Sequence, residues 1–299
     1  AAQTYKDLGV KRIVLARELT IPEIKRIKDT VKDIEIETFV HGAMCIAYSG
    51  RCILSAYMTK EGAGRRKKDK DIPIRSANRG DCSHSCRWEF ILKEKSRPEQ
   101  NYEIFENEEG SYILSSKDIC MIDHIKDLIE AGIDSLKIEG RMKSILYISS
   151  ITRAYRRAID NYYDDKIIFN RDFFEKELNV VSHREFSTGF FYENPKNQPN
   201  ITENIAYKRE MRLGALVTGI NGDRVVLKIY NKITREDKIE YISNDMKTIK
   251  VKDIKFYDKE GVSVESVNHT QYVEAEIYDE NDNVIPYKVY DILRMESSF

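Results

Sequence analysis

The chain has 299 residues, of which 41% are hydrophobic and 33% are charged. This apolar content excludes a disordered or fibrous protein, and the length predicts two domains. Lys plus Arg number 49 and Asp plus Glu number 50, so the net charge of -1 offers no global attraction to nucleic acid or membrane, and any basic patch must be local. No apolar run approaches the roughly 18 residues of a membrane span, and the N-terminus has neither an initiator Met nor a signal-peptide pattern. These features predict a soluble, cytoplasmic protein without a membrane partner.

From residue 1 to about residue 145, short strand-like runs alternate with amphipathic helical runs. The predicted elements are strand 11–17, helix 21–31 with Thr20 as N-cap and Pro22 in its first turn, strand 34–40, strand 111–114, helix 118–131 ended by Gly132, and strand 135–139. Because strands and helices alternate, this half of the chain is expected to form parallel βα units.

The second half of the chain changes from helix to short strands. A long helix is predicted from 144 to about 163, and the Asn- and Pro-rich run 194–200 is typical of a linker. The turn Asn221-Gly222-Asp223 between two apolar runs predicts a hairpin. Further strands are expected at 238–242, 248–251, 261–264 and 272–278. The predicted fold class is therefore α/β plus all-β, with one domain at 1–205 and a small C-terminal β-barrel domain at 206–299.

The five cysteines are unevenly placed, since Cys45, Cys52, Cys82 and Cys86 lie in one region and Cys120 lies apart. The odd count and the grouping favour a reducing compartment and a metal site over a disulfide framework. Neither pair has the C-x2-C spacing of zinc ribbons and common ferredoxins, so ordinary buried thiols are an equal alternative. Spacing does not choose between zinc and an iron–sulfur cluster. Cys120, at the start of a predicted helix, is expected to pack in the core.

Long motifs around the cysteines carry a resemblance to a known family. They are ETFVHGAMC at 37–45, GRCILS at 50–55, NRGDC at 78–82, CRWE at 86–89 and KIEGRMKS at 137–144. The chain resembles the U32 peptidase family over nearly its whole length, and is most similar to the branch associated with prephenate-dependent hydroxylation of the wobble uridine of tRNA. The resemblance implies a 4Fe-4S cluster held by Cys45, Cys52, Cys82 and Cys86, and a TIM-like barrel in the N-terminal part.

Family members continue before the point that matches Ala1, so the resemblance implies an N-terminally truncated chain with a partial TIM-like (β/α) barrel. Four βα units supply about half of the eight strands of such a barrel. The open strand edges would need a cover, which a second copy of the chain in a homo-oligomer, a rearranged sheet or an absent segment would provide.

A basic run lies between the cysteine pairs, where residues 51–80 contain nine Lys and Arg and three Asp and Glu. Its densest part consists of Arg65, Arg66, Lys67, Lys68 and Lys70. Such a run binds RNA phosphates through salt-sensitive contacts, or forms a solvated loop without an apolar anchor. The resemblance to a tRNA-modifying branch favours RNA binding.

Two side chains of strand 34–40 and its end are candidates for catalysis. Glu37 and His41 are four residues apart, so both are expected on the face that carries Phe39. They would form an acid–base or substrate-orienting pair near Cys45. The alternative is a histidine that is simply hydrogen-bonded at a strand end.

Arg141 and Lys143 open the loop that follows strand 135–139. In TIM-like barrels chemistry occurs at the C-terminal ends of the strands, so these cations are candidates to bind the carboxylate of prephenate or an RNA phosphate. The alternative is a salt bridge from Arg141 to Glu139 or Glu37. The run 183–190, which also resembles a family motif, is interpreted as structural, with a turn at Thr188-Gly189.

The leading hypothesis is a tRNA-modifying iron–sulfur enzyme that hydroxylates the wobble uridine, with tRNA and a small carboxylate, prephenate, as partners. A first alternative is a U32-type protease acting on collagen-like peptides. The sequence has neither a His-Glu-x-x-His nor a Gly-x-Ser-x-Gly motif to support it. A second alternative is a non-catalytic RNA-binding scaffold.

Overall fold

The computed structural model describes residues 1–45, 47–52, 77, 82, 92–94, 97–102, 116–141, 143–164, 166–167, 170–194 and 210–297. The predicted strand 111–114, the basic run from Arg65 to Lys70, and Cys86 lie outside these residues. The chain divides into two compact units, which are Ala1–Glu139 with His183–Tyr207 and Gly140–Ser182 with Lys208–Phe299. The units differ from the predicted domains 1–205 and 206–299 in the placement of residues 140–182, and the predicted division itself stays a prediction.

Five α-helices are present among the described residues. They are α1 (Ala2–Asp7), α2 (Ile21–Thr30), α3 (Ile125–Glu130), α4 (Ile145–Tyr163) and α5 (Arg171–Asn179), with a 3-10 turn at Ile122–His124 before α3. None of the described helices combines the length and the apolar character needed to cross a membrane.

The first unit contains seven described strands. They are β1 (Arg12–Val14), β2 (Glu35–Ala43), β3 (Leu92–Glu94), β4 (Arg97–Tyr102), β5 (Asp118–Cys120), β6 (Ser135–Ile138) and β7 (Phe186–Ser187). Strands β3 and β4 form an antiparallel pair of their own. The other five form one mixed sheet around β2, which pairs in parallel with β1 and β6 and antiparallel with β5. The expected parallel βα units are therefore present in β1–α2–β2 and in β6, whereas a closed TIM barrel is not found in the described part of the unit.

The helix boundaries that the sequence predicts are confirmed where side chains form hydrogen bonds with the backbone at the helix ends. The backbone N–H of Thr20 donates to the carboxylate of Glu23 at 2.9 Å, and Pro22 lies in the first turn of α2. The hydroxyl of Ser144 accepts the N–H of Tyr147 at the start of α4. After α3 the backbone reverses at Gly132, whose φ of 78° is in the left-handed region that glycine adopts readily.

The predicted helix over 118–131 is wrong in its first part, because Asp118–Cys120 forms strand β5. The N–H of Asp118 donates to the carbonyl of Glu185, and its carboxylate accepts two bonds from the guanidinium of Arg184 at 2.7 and 2.9 Å. Ile119 is buried opposite Gly42 of β2. This tertiary pairing outweighs the helical spacing of the apolar residues. The expected placement of Cys120 at a helix start is wrong for the same reason, and the residue is half-buried in a strand.

The second unit is dominated by antiparallel strands. They are β8 (Met211–Asn221), β9 (Arg224–Ile229), β10 (Ile233–Thr234), β11 (Ile239–Ile242), β12 (Thr248–Lys250), β13 (Asp253–Tyr257), β14 (Ser263–Val264), β15 (Ser266–Val267), β16 (Tyr272–Tyr278) and β17 (Ile292–Glu296). Eight of them form one sheet in the order β12-β11-β17-β8-β9-β16-β13-β14, and β10 pairs with β15. The predicted hairpin is confirmed as β8 and β9, with Gly222 at a φ of 60° in its turn. The prediction of a β-rich C-terminal region is confirmed.

A buried ionic cluster joins the helices of the second unit to its sheet. Glu177 of α5 accepts bonds from Arg294 of β17 at 3.0 Å and from Arg153 of α4 at 3.2 Å. Arg294 also bonds Glu240 of β11 at 2.8 Å. The side chains of Arg294 and Glu177 are 0% and 1% exposed. Neither α5 nor β17 is predicted from the sequence, because their interior positions carry these charged residues.

We expect Glu177→Gln to lower the free energy of unfolding by about 3–5 kcal/mol, since removal of one partner leaves buried cations uncompensated. Denaturant unfolding followed by circular dichroism measures the change. The matched control is Lys238→Ala, because the side chains of Lys238 and its partner Glu296 are both exposed. This substitution should change the free energy of unfolding by less than about 1 kcal/mol. Equal effects of the two substitutions would contradict a structural role for the buried cluster.

Candidate functional site

The carboxyl ends of three parallel strands bring together the side chains of a candidate site in the first unit. Arg17 follows β1, Cys45 follows β2 and Glu139 follows β6. The guanidinium of Arg17 donates to the carbonyl of Ala43 at 2.9 Å and lies 3.5 Å from the carboxylate of Glu139. Ligand and catalytic groups of parallel α/β sheets occur at this edge, because loops of different strands converge there.

Phe39 forms the base on which Arg17 rests. The guanidinium carbon of Arg17 lies 4.0 Å from the centre of the Phe39 ring, and the ammonium of Lys137 lies 5.3 Å from it. Burial lowers the pKa of Arg17, while the negative charge of Glu139 acts in the opposite direction. The site therefore holds a fixed, largely desolvated cation next to the first cysteine.

Glu18 anchors the loop that carries Cys45 and Cys52. Its Oε1 atom accepts the backbone N–H of Ser49 at 2.8 Å and the Ser49 hydroxyl at 3.0 Å. The residue is only 8% exposed, and its Oε2 atom has no hydrogen-bond partner among the described residues. A buried carboxylate bound to a backbone N–H fixes the loop at one point of its middle.

The cysteines of the predicted cluster are only partly described. Cys45 is exposed, whereas Cys52 and Cys82 are half-buried. Desolvation raises the pKa of Cys45, the nearby thiols of Cys52 and Cys82 also raise it, and Arg17 lowers it. Cys52, Cys82 and Arg17 are therefore close enough to Cys45 to act on its ionisation. No group of three or more His, Cys, Asp or Glu side chains is arranged to hold a metal within the described part of the chain, which does not include Cys86.

Glu37 is engaged in an ionic cluster of the sheet. Its carboxylate accepts bonds from Lys137 at 2.8 Å, from Ser135 at 2.8 Å and from Arg12 at 3.4 Å. The hydrogen bond from Lys137 is the main reason that the pKa of Glu37 is lowered. Held as a carboxylate in this way, Glu37 is suited to orient Lys137 beside Phe39.

His41 does not share the environment of Glu37. The pairing of β2 with β6 shifts register between Phe39 and His41, and the residues at 40, 41 and 42 are all buried. The alternation that predicts a common face for Glu37 and His41 therefore ends before His41. Its imidazole lies 5.5 Å from the ring of Phe186, which stacks at 4.3 Å on the imidazole of His183.

Arg141 and Lys143 belong to the second unit, whereas Glu37 and His41 belong to the first. Arg141 is exposed. The ammonium of Lys143 donates to the carbonyl of Ser182 at 2.8 Å and lies 5.0 Å from the centre of the Tyr147 ring. Lys143 is therefore held in place by a backbone carbonyl on one side and an aromatic ring on the other.

Sequence reasoning missed Arg17 and Glu18. Arg17 ends the predicted strand 11–17, Glu18 follows it, and no motif marks either residue. Their position at the carboxyl end of a strand of a parallel βα unit is the one signal that the sequence offers.

A sequence profile of peptidase family U32 matches residues 1–201 of the chain. The tRNA hydroxylation protein P1 of Bacillus subtilis is 35% identical over 273 residues, which cover 90% of this chain and 61% of that protein. An uncharacterized protease of Methanocaldococcus jannaschii is 40% identical over 217 residues, covering 69% of this chain and 48% of that protein.

A third relative also carries an RNA substrate in its name. The 23S rRNA 5-hydroxycytidine C2501 synthase of Escherichia coli is 38% identical over 165 residues, which cover 55% of this chain and 22% of that protein. The chain spans 61% or less of the length of each of these three relatives.

We expect Glu18→Ala to release the loop between Cys45 and Cys52, because Ser49 loses the acceptor of its N–H. The Ser49 amide should then exchange with solvent at least about tenfold faster, as measured by hydrogen exchange. Glu35→Ala is the control, since Glu35 is half-exposed and bonds Arg12 rather than the loop. Unchanged exchange at Ser49 in Glu18→Ala would show that this contact does not anchor the loop.

The lowered pKa of Glu37 makes the stability of the fold depend on pH. Because the folded state favours the carboxylate, its stabilising contribution is present above the usual value of 4.5 and is lost as the pH falls below it. Glu37→Gln should therefore lose less stability than the wild type between about pH 5 and pH 3 in urea unfolding. Lys137→Met removes the principal partner and should show the same reduced acid sensitivity, whereas wild-type sensitivity in both variants would contradict the pairing.

Proposed function

The chain belongs to peptidase family U32, which confirms the resemblance carried by its motifs, and from this premise we propose that it is part of an enzyme that hydroxylates a uridine of tRNA. Two relatives with hydroxylated RNA in their names support this activity. The observation that carries the proposal is the meeting of Arg17, Glu139 and the segment that leads from β2 to Cys45 at the carboxyl edge of parallel strands.

Cys45, Cys52, Cys82 and Cys86 are the residues we propose to hold a 4Fe-4S cluster. Sulfur donors are the ligands that such clusters require, and the thiols of Cys52 and Cys82 are close enough to that of Cys45 to raise its pKa. When bound, a cluster supplies redox or Lewis-acid chemistry. Arg17 contributes positive charge next to the thiolate ligands, and Glu18 holds the loop that carries two of them.

The small-molecule pocket is proposed to take a carboxylate such as prephenate. Arg141 is an exposed guanidinium, and Lys143 is fixed by the Ser182 carbonyl, so both are suited to contact an anion. Glu37 and His41 remain our candidates for orienting groups or for proton transfer. The buried position of His41 would keep its imidazole away from bulk water.

The RNA partner is proposed to meet the basic run of Arg65, Arg66, Lys67, Lys68 and Lys70, whose charge suits phosphate contacts. The parallel order of β1, β2 and β6 supports a partial TIM-like barrel, and a homo-oligomer is the proposed cover for its open edges. A cytoplasmic location follows from the proposed tRNA substrate.

The name of one relative favours a protease as a second candidate. A cysteine protease needs a thiol whose pKa is lowered by a nearby imidazole. Desolvation instead raises the pKa of Cys45, and the thiols of Cys52 and Cys82 raise it further. The hydroxylase is therefore the better supported function.

Anaerobic purification followed by visible absorption and iron and sulfide analysis tests the cluster. We expect a coloured protein with iron and sulfide in equal amounts, and loss of the absorption in Cys45→Ala, Cys52→Ala, Cys82→Ala and Cys86→Ala. Cys120→Ser is the matched control, because Cys120 lies in β5 and is not a proposed ligand, and it should keep the absorption.

Activity is tested with the same preparations, tRNA and prephenate, by mass spectrometry of the digested tRNA. The wild type should add one oxygen atom to a uridine only when prephenate is present, and the four cysteine variants should not. A colourless or zinc-loaded wild type, or hydroxylation that survives in all four variants, would overturn the proposed function.

A further inference from the structure

Three neighbouring strands of the second unit, β9, β16 and β13, turn alternate side chains away from the core. In β9 the residues Val225, Leu227 and Ile229 are buried. The residues between and after them point outward, because successive side chains of a strand lie on opposite faces. The same alternation in β16 and β13 makes one continuous outer face over the three strands.

Cations and tyrosine rings are interleaved on this outer face. Three cations form four contacts with the rings. Lys228 lies 5.2 Å from the ring centre of Tyr230 and 5.9 Å from that of Tyr272, Arg224 lies 3.6 Å from that of Tyr257, and Lys255 lies 4.9 Å from that of Tyr278. Tyr272 lies directly opposite Lys228 in the strand register and is 58% exposed. A mixture of stackable rings and amines thus extends over the whole width of the face.

The carboxylates of the face are already engaged. Glu274 and Glu276 both accept bonds from Arg224, and Glu276 also accepts the hydroxyl of Tyr278. Lys228 and Lys255 have no carboxylate within salt-bridge distance in the described part of the chain. The free positive charge therefore lies at the two ends of the face, next to Tyr272 and Tyr278.

We propose that the outer face of β9, β16 and β13 binds single-stranded RNA. Aromatic rings on a sheet stack on unpaired bases, and neighbouring amines neutralise the phosphates, so the two side-chain types together fit this ligand. Lys228 and Lys255, which form no salt bridge with a described residue, provide charge complementarity to an anionic chain. The inference deepens the proposed function, on which it rests, by assigning a contact surface for the RNA partner to the second unit.

The test is the binding of a fluorescently labelled tRNA anticodon stem–loop to the whole chain at several salt concentrations. Tyr272→Ala should weaken binding about fivefold or more with little change in the salt dependence, because it removes stacking. Lys228→Ala should reduce the slope of log affinity against log salt by about one, because it removes a phosphate contact. Tyr272→Phe keeps the ring and should bind as the wild type does.

Two substitutions in the same unit serve as controls. Tyr163→Ala and Lys250→Ala remove exposed side chains that lie on α4 and β12, outside the face, and should leave binding unchanged. Thermal unfolding checks that each variant is folded. We expect the Tyr272 variants to fold, because the side chain is exposed and its loss leaves no cavity.

The outcomes separate this inference from the proposed function. A wild type that binds no RNA would overturn both. A wild type that binds RNA, with Tyr272→Ala and Lys228→Ala equal to the controls, would overturn the surface alone. Loss of binding in Tyr272→Phe equal to that in Tyr272→Ala would also overturn it, because stacking would not be the interaction that is lost.

Discussion

The pairing of β2 with strands on both of its edges is the constraint on which the first unit depends. Because β1 and β6 lie parallel to β2, the segments that follow all three strands converge at one edge of the sheet. Arg17, Cys45 and Glu139 meet there although they are far apart in sequence. The candidate site is thus a product of strand order, and no single motif contains it.

Ion pairs stabilise the sheet around this edge, and the charged side chains there differ in how they are held. Glu37 is bound to Lys137 and Ser135, and Asp118 is bound to Arg184, so these groups support the sheet. Arg17 is instead held over an aromatic ring and faces both a carboxylate and a thiol. Its charge is thus placed to respond to a change in charge at Cys45.

The elements that the sequence predicts are those whose signals are local. Helix α2 follows from Thr20 and Pro22, and the hairpin follows from its Asn-Gly-Asp turn. Strand β5 could not be predicted, because its conformation depends on Arg184, which lies 66 residues further along the chain. Helix α5 and strand β17 could not be predicted for the same reason. Their apolar pattern is interrupted by Glu177 and Arg294, which pair only in the folded state. For the site, spacing and motifs identify the cysteines, whereas Arg17 and Glu18 gain their meaning only from the sheet.

The contact of Glu18 with Ser49 has a mechanical consequence. The loop from Cys45 to Cys52 is continuous with β2, and Glu18 ties its middle to the segment after β1. The loop is therefore attached to the sheet at two points, through β2 and through the segment that follows β1. A loop anchored in this way loses less conformational freedom on binding a group than an unanchored loop would.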